Sequence, residues 1–277
     1  MAGRALVLGG GGVTGVAWEL GILAGLAEAG VDLTEADLFV GTSAGSVVAA
    51  QVTGPTPLEE LYERQLASAG TELAAKLGVV QILRWGVAAL RSRDERAAMA
   101  RIGAMALKTK TIGEEERKAV IASRLTSHEW PAKRLVITAV SVDGEFVTFD
   151  KDSGVSIVDA VAASCAVPTV WPPVTINGTR YMDGGMRSPM NADLAKGYDQ
   201  VVVIAPTIAA FRRSQSMSAQ LARLGDGVRS VVLAPDAAAK SAIGTNVLDP
   251  SRRAPAARAG RKQATDALDS VAKVWKD

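Results

Sequence analysis

The stretch DLFVGTSAGSVVAAQ, residues 37–51, joins four apolar-leaning residues to a run of small ones through a serine set between two glycines. Residues 37–40 read as a short buried strand and residues 44–51 as a helix of small side chains. Two readings of the junction are open. It is either an ordinary strand-to-helix turn with Ser43 as the helix N-cap, or a nucleophile elbow, in which a strained corner exposes the serine hydroxyl. In the second reading Gly41 and Gly45 are required because larger side chains would collide with neighbouring backbone.

Upstream, residues 4–8 form another short apolar run and end in GGGGVTG, residues 9–15. Residues 16–29 then repeat apolar side chains at helical spacing, and Gly30 closes the helix as a C-terminal cap. Strand, helix, strand, helix in this order predicts an α/β fold with a mostly parallel central sheet. Residues 134–142 resume as a strand, joined by Asp143-Gly144 to a hairpin partner at 145–149. A helix at 156–166, a second hairpin turning at Asn177-Gly178, strands at 200–205 and 229–234, and a last helix from Arg252 complete the expected order. Residues 57–131 are mostly helical and interrupt the alternation. The chain is therefore read as one domain, 1–277, with a helical insertion at about 57–131.

Composition narrows the functional classes. The 277 residues are 48% hydrophobic and only 4% aromatic, enough for a large aliphatic core. A net charge of +2 gives no reason to expect a nucleic-acid partner. The single cysteine, Cys165 in AASCAVP, reads as a buried structural thiol. No secretory leader is visible at the start, and the two long uncharged stretches, 38–58 and 160–179, are broken by Gly, Pro, Ser and Thr. A soluble, cytoplasmic protein is expected, with peripheral membrane contact left open. The sequence does not speak to oligomeric state.

Three motifs carry chemistry. Gly10, Gly12 and Gly15 match G-x-G-x-x-G, but no acidic residue ends the second strand to hold a ribose, which weakens a dinucleotide reading. The same glycines suit an oxyanion hole, because backbone N–H groups at a helix start approach a ligand closely and favour negative charge. Gly41 to Gly45 match G-x-S-x-G. The third motif is DGG at Asp183, Gly184 and Gly185. A nucleophilic serine needs a base, and the only histidine, His128, lies before Asp183, in the wrong order for a Ser–Asp–His triad. A carboxylate must then act directly, and Asp183 at a strand end is suited to it.

Together these motifs, with ASCAVPTVWPPVTINGTRYMDGG at 163–185, resemble the patatin-like phospholipases. The resemblance covers residues 4–52 and 134–205. It implies a three-layer fold with the central sheet flanked by helices, a lipid or other ester substrate, Ser43 as nucleophile, Asp183 as base, and Gly10, Gly11 and Gly12 as oxyanion donors, with no metal and no cofactor. A catalytically silent relative that binds lipid and a nucleotide-binding protein are the alternatives. One departure stands out: the family's glycine loop usually carries Arg or Lys where this chain has Thr14, which puts phospholipid preference in question. Residues 72–90 add a helical stripe of Leu73, Leu77, Val80, Leu83, Val87 and Leu90, flanked by Arg84, Arg91 and Arg93. The reading adopted for it is a helix buried against the sheet; a lid or membrane-surface helix is the other. Trp171, Pro172 and Pro173 read either as a wall of the acyl pocket or as a rigid turn.

Overall fold

A computed structural model describes residues 3–67 and 75–276. In chain order the elements begin with β1 (Arg4–Leu8), α1 (Gly12–Glu28), β2 (Leu38–Gly41) and α2 (Ala44–Val52). Four helices follow: α3 (Leu58–Leu66), α4 (Val79–Leu90), α5 (Glu95–Lys108) and α6 (Glu114–Arg124). Then come β3 (Arg134–Ser141), β4 (Phe146–Phe149), α7 (Ile157–Ser164), β5 (Val174–Ile176) and β6 (Thr179–Asp183). The chain finishes with β7 (Gln200–Ile204), α8 (Met217–Ala222), β8 (Arg229–Leu233), α9 (Ala237–Ile243) and α10 (Arg253–Trp275).

The sheet is parallel through β3, β2, β1, β7 and β8, and antiparallel where β3 meets β4 and β6 and where β6 meets β5. Its two faces are covered by different clusters, as the period-2 alternation of β1 requires. Leu6 and Leu8 pack with α1, α2, α7 and α10 on one side. Ala5 and Val7 pack on the other with Met190, Ala192 and Leu224. The expected three-layer α/β fold with a helical insertion is the one observed.

The last helix, α10, packs closely along α1. A Cβ at Gly21 would lie 2.1 Å from the Ala257 carbonyl oxygen, and one at Gly260 would lie 2.3 Å from that of Trp18. Small residues on both helices thus let the backbones nearly touch. Among the described residues, no helix is long and apolar enough to cross a membrane.

One feature of strand pairing positions the site. Ala139 and Val140 of β3 pair with both β4 and β6, so those two strands lie on opposite edges of β3. Ile137 pairs with both Gly41 and Phe149, so β2 lies opposite β4. Strands β2 and β6 therefore share one edge of β3 and meet end to end. β2 stops at Gly41 opposite Ile137, and β6, running the other way, stops at Asp183 opposite Ala139.

Candidate active site

Ser43 follows the end of β2 with φ 52° and ψ −117°, a backbone conformation that non-glycine residues rarely adopt. Its N–H donates to Ser164 Oγ at 2.9 Å, and its carbonyl accepts from Ser46 Oγ at 2.6 Å. The flanking glycines are needed for the reason expected. A Cβ at Gly45 would sit 2.0 Å from the Leu8 carbonyl oxygen, and one at Gly41 would sit 2.6 Å from Ser46 Cα. The corner is thus wedged against β1, and Ser43 does not cap α2 with its side chain.

Asp183 is 3% exposed, and Asp183 Oδ1 accepts the Gly185 N–H at 2.7 Å. Burial pushes its carboxyl up from 3.8 to about 6, while hydrogen bonding to the Ser43 side chain and to Gly185, and the charge of Arg117, act in the opposite direction. Gly184 must be glycine because a Cβ there would lie 2.2 Å from Thr138 Oγ1. The head-to-head meeting of β2 and β6 therefore brings together two residues 140 positions apart in sequence, in contact through their side chains.

A polar network holds the two strand ends in place, and the motifs gave no sign of it. Asn191 Nδ2 donates to Thr42 Oγ1 at 3.0 Å and to the Ser188 carbonyl at 2.8 Å, and it reaches the Gly184 carbonyl at 3.3 Å. Thr42 and Thr138 share a hydrogen bond of 2.9 Å, and Arg187 Nη1 donates to Asn191 Oδ1 at 2.8 Å. Asn191 is itself left-handed, with φ 52°. A buried amide in that conformation costs stability unless it is fully bonded, so this residue is spent on aligning the elbow with the DGG turn.

The glycine loop lies across the same corner. A Cβ at Gly10 would come 3.5 Å from Ser43 Cβ. The Gly10 N–H, however, donates to the Pro189 carbonyl at 2.8 Å, which takes it out of the expected trio of oxyanion donors. Gly11 and Gly12 keep N–H groups with no acceptor among the described residues, and Gly12, at φ 62°, lines the Ser43 cavity. Gly11 and Gly12 are both packed too tightly for a side chain. A Cβ at Gly11 would strike Pro206 at 2.4 Å, and one at Gly12 would strike the Val247 carbonyl oxygen at 2.5 Å.

Thr14 does not face a ligand. It is fully buried, and its Oγ1 donates to the Val247 carbonyl at 3.2 Å. Positive charge reaches the site by another route. Arg117 and Arg124, seven residues apart on α6, line the Ser43 cavity together with Trp171 and Leu248. Arg117 is 3% exposed and stacks 3.9 Å above the Trp171 ring. Trp171 is accordingly a cavity wall. The absence of a loop cation therefore does not leave the site without one. The cavity measures about 20 Å³, the space of about one water.

Cys165 is buried, donates to the Ser43 carbonyl at 3.3 Å, and is pushed up to about 11 by burial and by the neighbouring Asp183 charge, which leaves it an inert thiol. His128 is exposed, with Nε2 3.0 Å from the Ala122 carbonyl oxygen. Among the described residues, no cluster of three or more His, Cys, Asp or Glu side chains could hold a metal ion.

No curated protein matches this chain. Among solved structures, VipD from Legionella pneumophila is similar at 15% identity and a TM-score of 0.48, over 98% of this chain and 67% of VipD. The type III effector protein ExoU is similar at 17% identity and a TM-score of 0.44, over 98% of this chain and 53% of ExoU, so the chain spans about half of that protein's length. The family model for patatin-like phospholipase matches residues 6–196, from β1 past the DGG turn and Asn191. With more than half its length under that match, the chain belongs to the patatin-like phospholipases, a family of lipid acyl hydrolases.

Proposed function

We propose that this protein is a serine lipid acyl hydrolase that cleaves carboxylic esters of lipids through a Ser43–Asp183 dyad and an acyl-enzyme. The observation that carries the reading is the pairing of a strained, nearly buried serine with a buried carboxylate of raised pKa. A carboxyl near 6 is ionised at neutral pH yet more basic than an ordinary aspartate, which suits a general base.

In this mechanism Asp183 takes the Ser43 proton as the hydroxyl oxygen adds to the acyl carbonyl. The oxyanion is stabilised by the Gly11 and Gly12 N–H groups at the start of α1. Collapse expels the alcohol, which leaves with the proton held by Asp183. Water then adds to the acyl-enzyme, giving up a proton to Asp183, and the fatty acid departs as Ser43 recovers its proton. Val13, Val16, Val47 and Leu248 give the cavity an apolar wall for the acyl chain, and Arg117 and Arg124 give it positive charge suited to an anionic headgroup.

The test is labelling by a fluorophosphonate probe, read by mass spectrometry, alongside a panel of phospholipid, lysophospholipid and neutral ester substrates. Labelling at Ser43 that is lost in Ser43→Ala, with turnover of at least one lipid ester, is the expected result. An unlabelled Ser43 with lipid still bound would favour the catalytically silent reading.

A further inference from the structure

Of the seven exposed large apolar side chains among the described residues, five are on α4 and a sixth, Leu107, is on neighbouring α5. The expectation of a buried stripe is overturned for Val80, Leu83, Val87 and Leu90, which are exposed, while Leu77, just before the helix, is partly buried against the core. Leu73 lies outside the described residues, and α4 begins only at Val79. The helix docks through a different face. Trp85, Ala88 and Ala89 pack with Met99 and Ile102 of α5, while Val80, Leu83, Val87 and Leu90 point into solvent. Leu90 is 81% exposed, and Leu83 is 62% exposed. Alanines at the docking face let the two helices approach, and Trp85 fills the gap edge-on against Phe211.

The helix is firmly held. Arg212 Nη2 donates to the Ala89 and Ser92 carbonyls at 2.6 and 2.7 Å, and Arg101 Nη1 donates to the Arg91 carbonyl at 3.1 Å. It also adjoins the catalytic elements. Trp85 shares its cluster with Met182 and Met186, on either side of Asp183. At its other end it borders Thr169, in the turn between the cavity residues Val167 and Trp171.

Charge selects the occupant of the exposed stripe. Residues 75–110 hold eight Lys and Arg against two Asp and Glu, a net +6, in a chain whose total is +2. Arg84 and Arg91 lie along one flank of the stripe, with Arg101 beside it. A second copy of the chain would bring like charge against like. We infer that α4 is an interfacial helix that seats the protein on an anionic lipid surface, with Val80, Leu83, Val87 and Leu90 entering the acyl boundary and the arginines meeting lipid phosphates. The inference concerns membrane contact and stands independently of the hydrolytic chemistry.

The experiment uses the full chain carrying Ser43→Ala, so that binding is read without turnover, in co-sedimentation with phosphatidylcholine vesicles with and without phosphatidylglycerol. The protein should bind the anionic vesicles, more weakly at high salt. Leu83→Glu with Leu90→Glu, and separately Arg84→Glu with Arg91→Glu, should each lower binding on the order of tenfold or more. These side chains are exposed, so the variants keep the fold, and in the Ser43 background they should turn over a short soluble ester at the parental rate. Vesicle binding unchanged in both variants would overturn the proposal. So would a dimer in sedimentation velocity that Leu83→Glu with Leu90→Glu converts to monomer, because the stripe would then be a protein interface. Failure of Ser43 to label with fluorophosphonate, with vesicle binding intact, would overturn the hydrolase reading alone.

Discussion

The corner formed by β1, β2 and β6 and the helical insertion at α4 to α6 follow opposite rules. In the corner almost every position is fixed by backbone contact. Gly45 touches Leu8, Gly184 touches Thr138, and Asn191 binds both Thr42 and the 184–188 turn. In the insertion, α4 carries large aliphatic side chains outward, and a Cβ at Gly86 would meet nothing within 4 Å. The first region tolerates very few residues and holds the proposed dyad. The second tolerates many, and it presents the exposed surface and charge on which the proposed membrane contact rests.

The sharpest way to break this contrast is to attack the corner chemically. Asp183→Asn should lower ester hydrolysis on the order of 10⁴-fold or more with the fold intact, measured as kcat/KM beside circular dichroism. Substantial residual turnover would remove the aspartate from the dyad. In the parent protein, kcat/KM should fall below about pH 6 as the carboxyl is protonated.

Next in size is Gly45→Ala. With only 2.0 Å to the Leu8 carbonyl oxygen, two backbones must separate. A loss of about 3 kcal/mol or more is expected in denaturant unfolding. A loss under about 1 kcal/mol would mean that the corner yields easily, and the comparison with the insertion would fail.

Stability against pH offers a third test. Asp183 is harder to ionise folded than unfolded, so between 3.8 and about 6 the folded state binds more protons. Stability attributable to this group therefore falls as pH rises through that window, by roughly 2–3 kcal/mol in total. Asp183→Asn has no charge to bury. It should be more stable than the parent at pH 7, with the difference closing below pH 4. A parent that remained the more stable of the two at pH 7 would show that the site does not penalise the carboxylate.

Smaller effects should come from the insertion. Arg117 stabilises the ionised form of Asp183, so Arg117→Met should move the acidic limb of the pH–rate profile to higher pH, with a loss of less than about tenfold at neutral pH. An unmoved limb would confine Arg117 to its stacking on Trp171. Gly86→Ala on α4 should stabilise the protein by about 0.5–1 kcal/mol, the opposite sign to Gly45→Ala.

The motifs of the corner were legible because glycines at such spacing mark close backbone approach, although the partners at Gly45 and Gly184, Leu8 and Thr138, lie in distant segments. A G-x-S-x-G turn and a DGG turn announce a tight backbone whatever surrounds them. The insertion was misread for a related reason. Helical periodicity identifies stripes, but α4 has two, and hydrophobicity alone favoured the wrong one for burial. The buried face is made of Trp85, Ala88 and Ala89, because small residues allow α5 to come close. Arg117 and Arg124 lie on a polar helix with no motif to mark them; only the packing of α6 puts them at the cavity. Thr14, where the family usually carries Arg or Lys, is turned inward toward Val247 by α1.

Sequence by itself determined the order of strands and helices, the strained serine corner and the residue types available for an acid–base pair, because these depend on periodicity and on backbone conformations that span only a few residues. Tertiary structure decided that β2 and β6 abut along one edge of β3, that Gly10 gives its N–H to Pro189, and that the insertion turns arginines inward and leucines outward. Each of these depends on contacts between segments tens to more than a hundred residues apart. Their energies come from packing and desolvation, which no local pattern encodes.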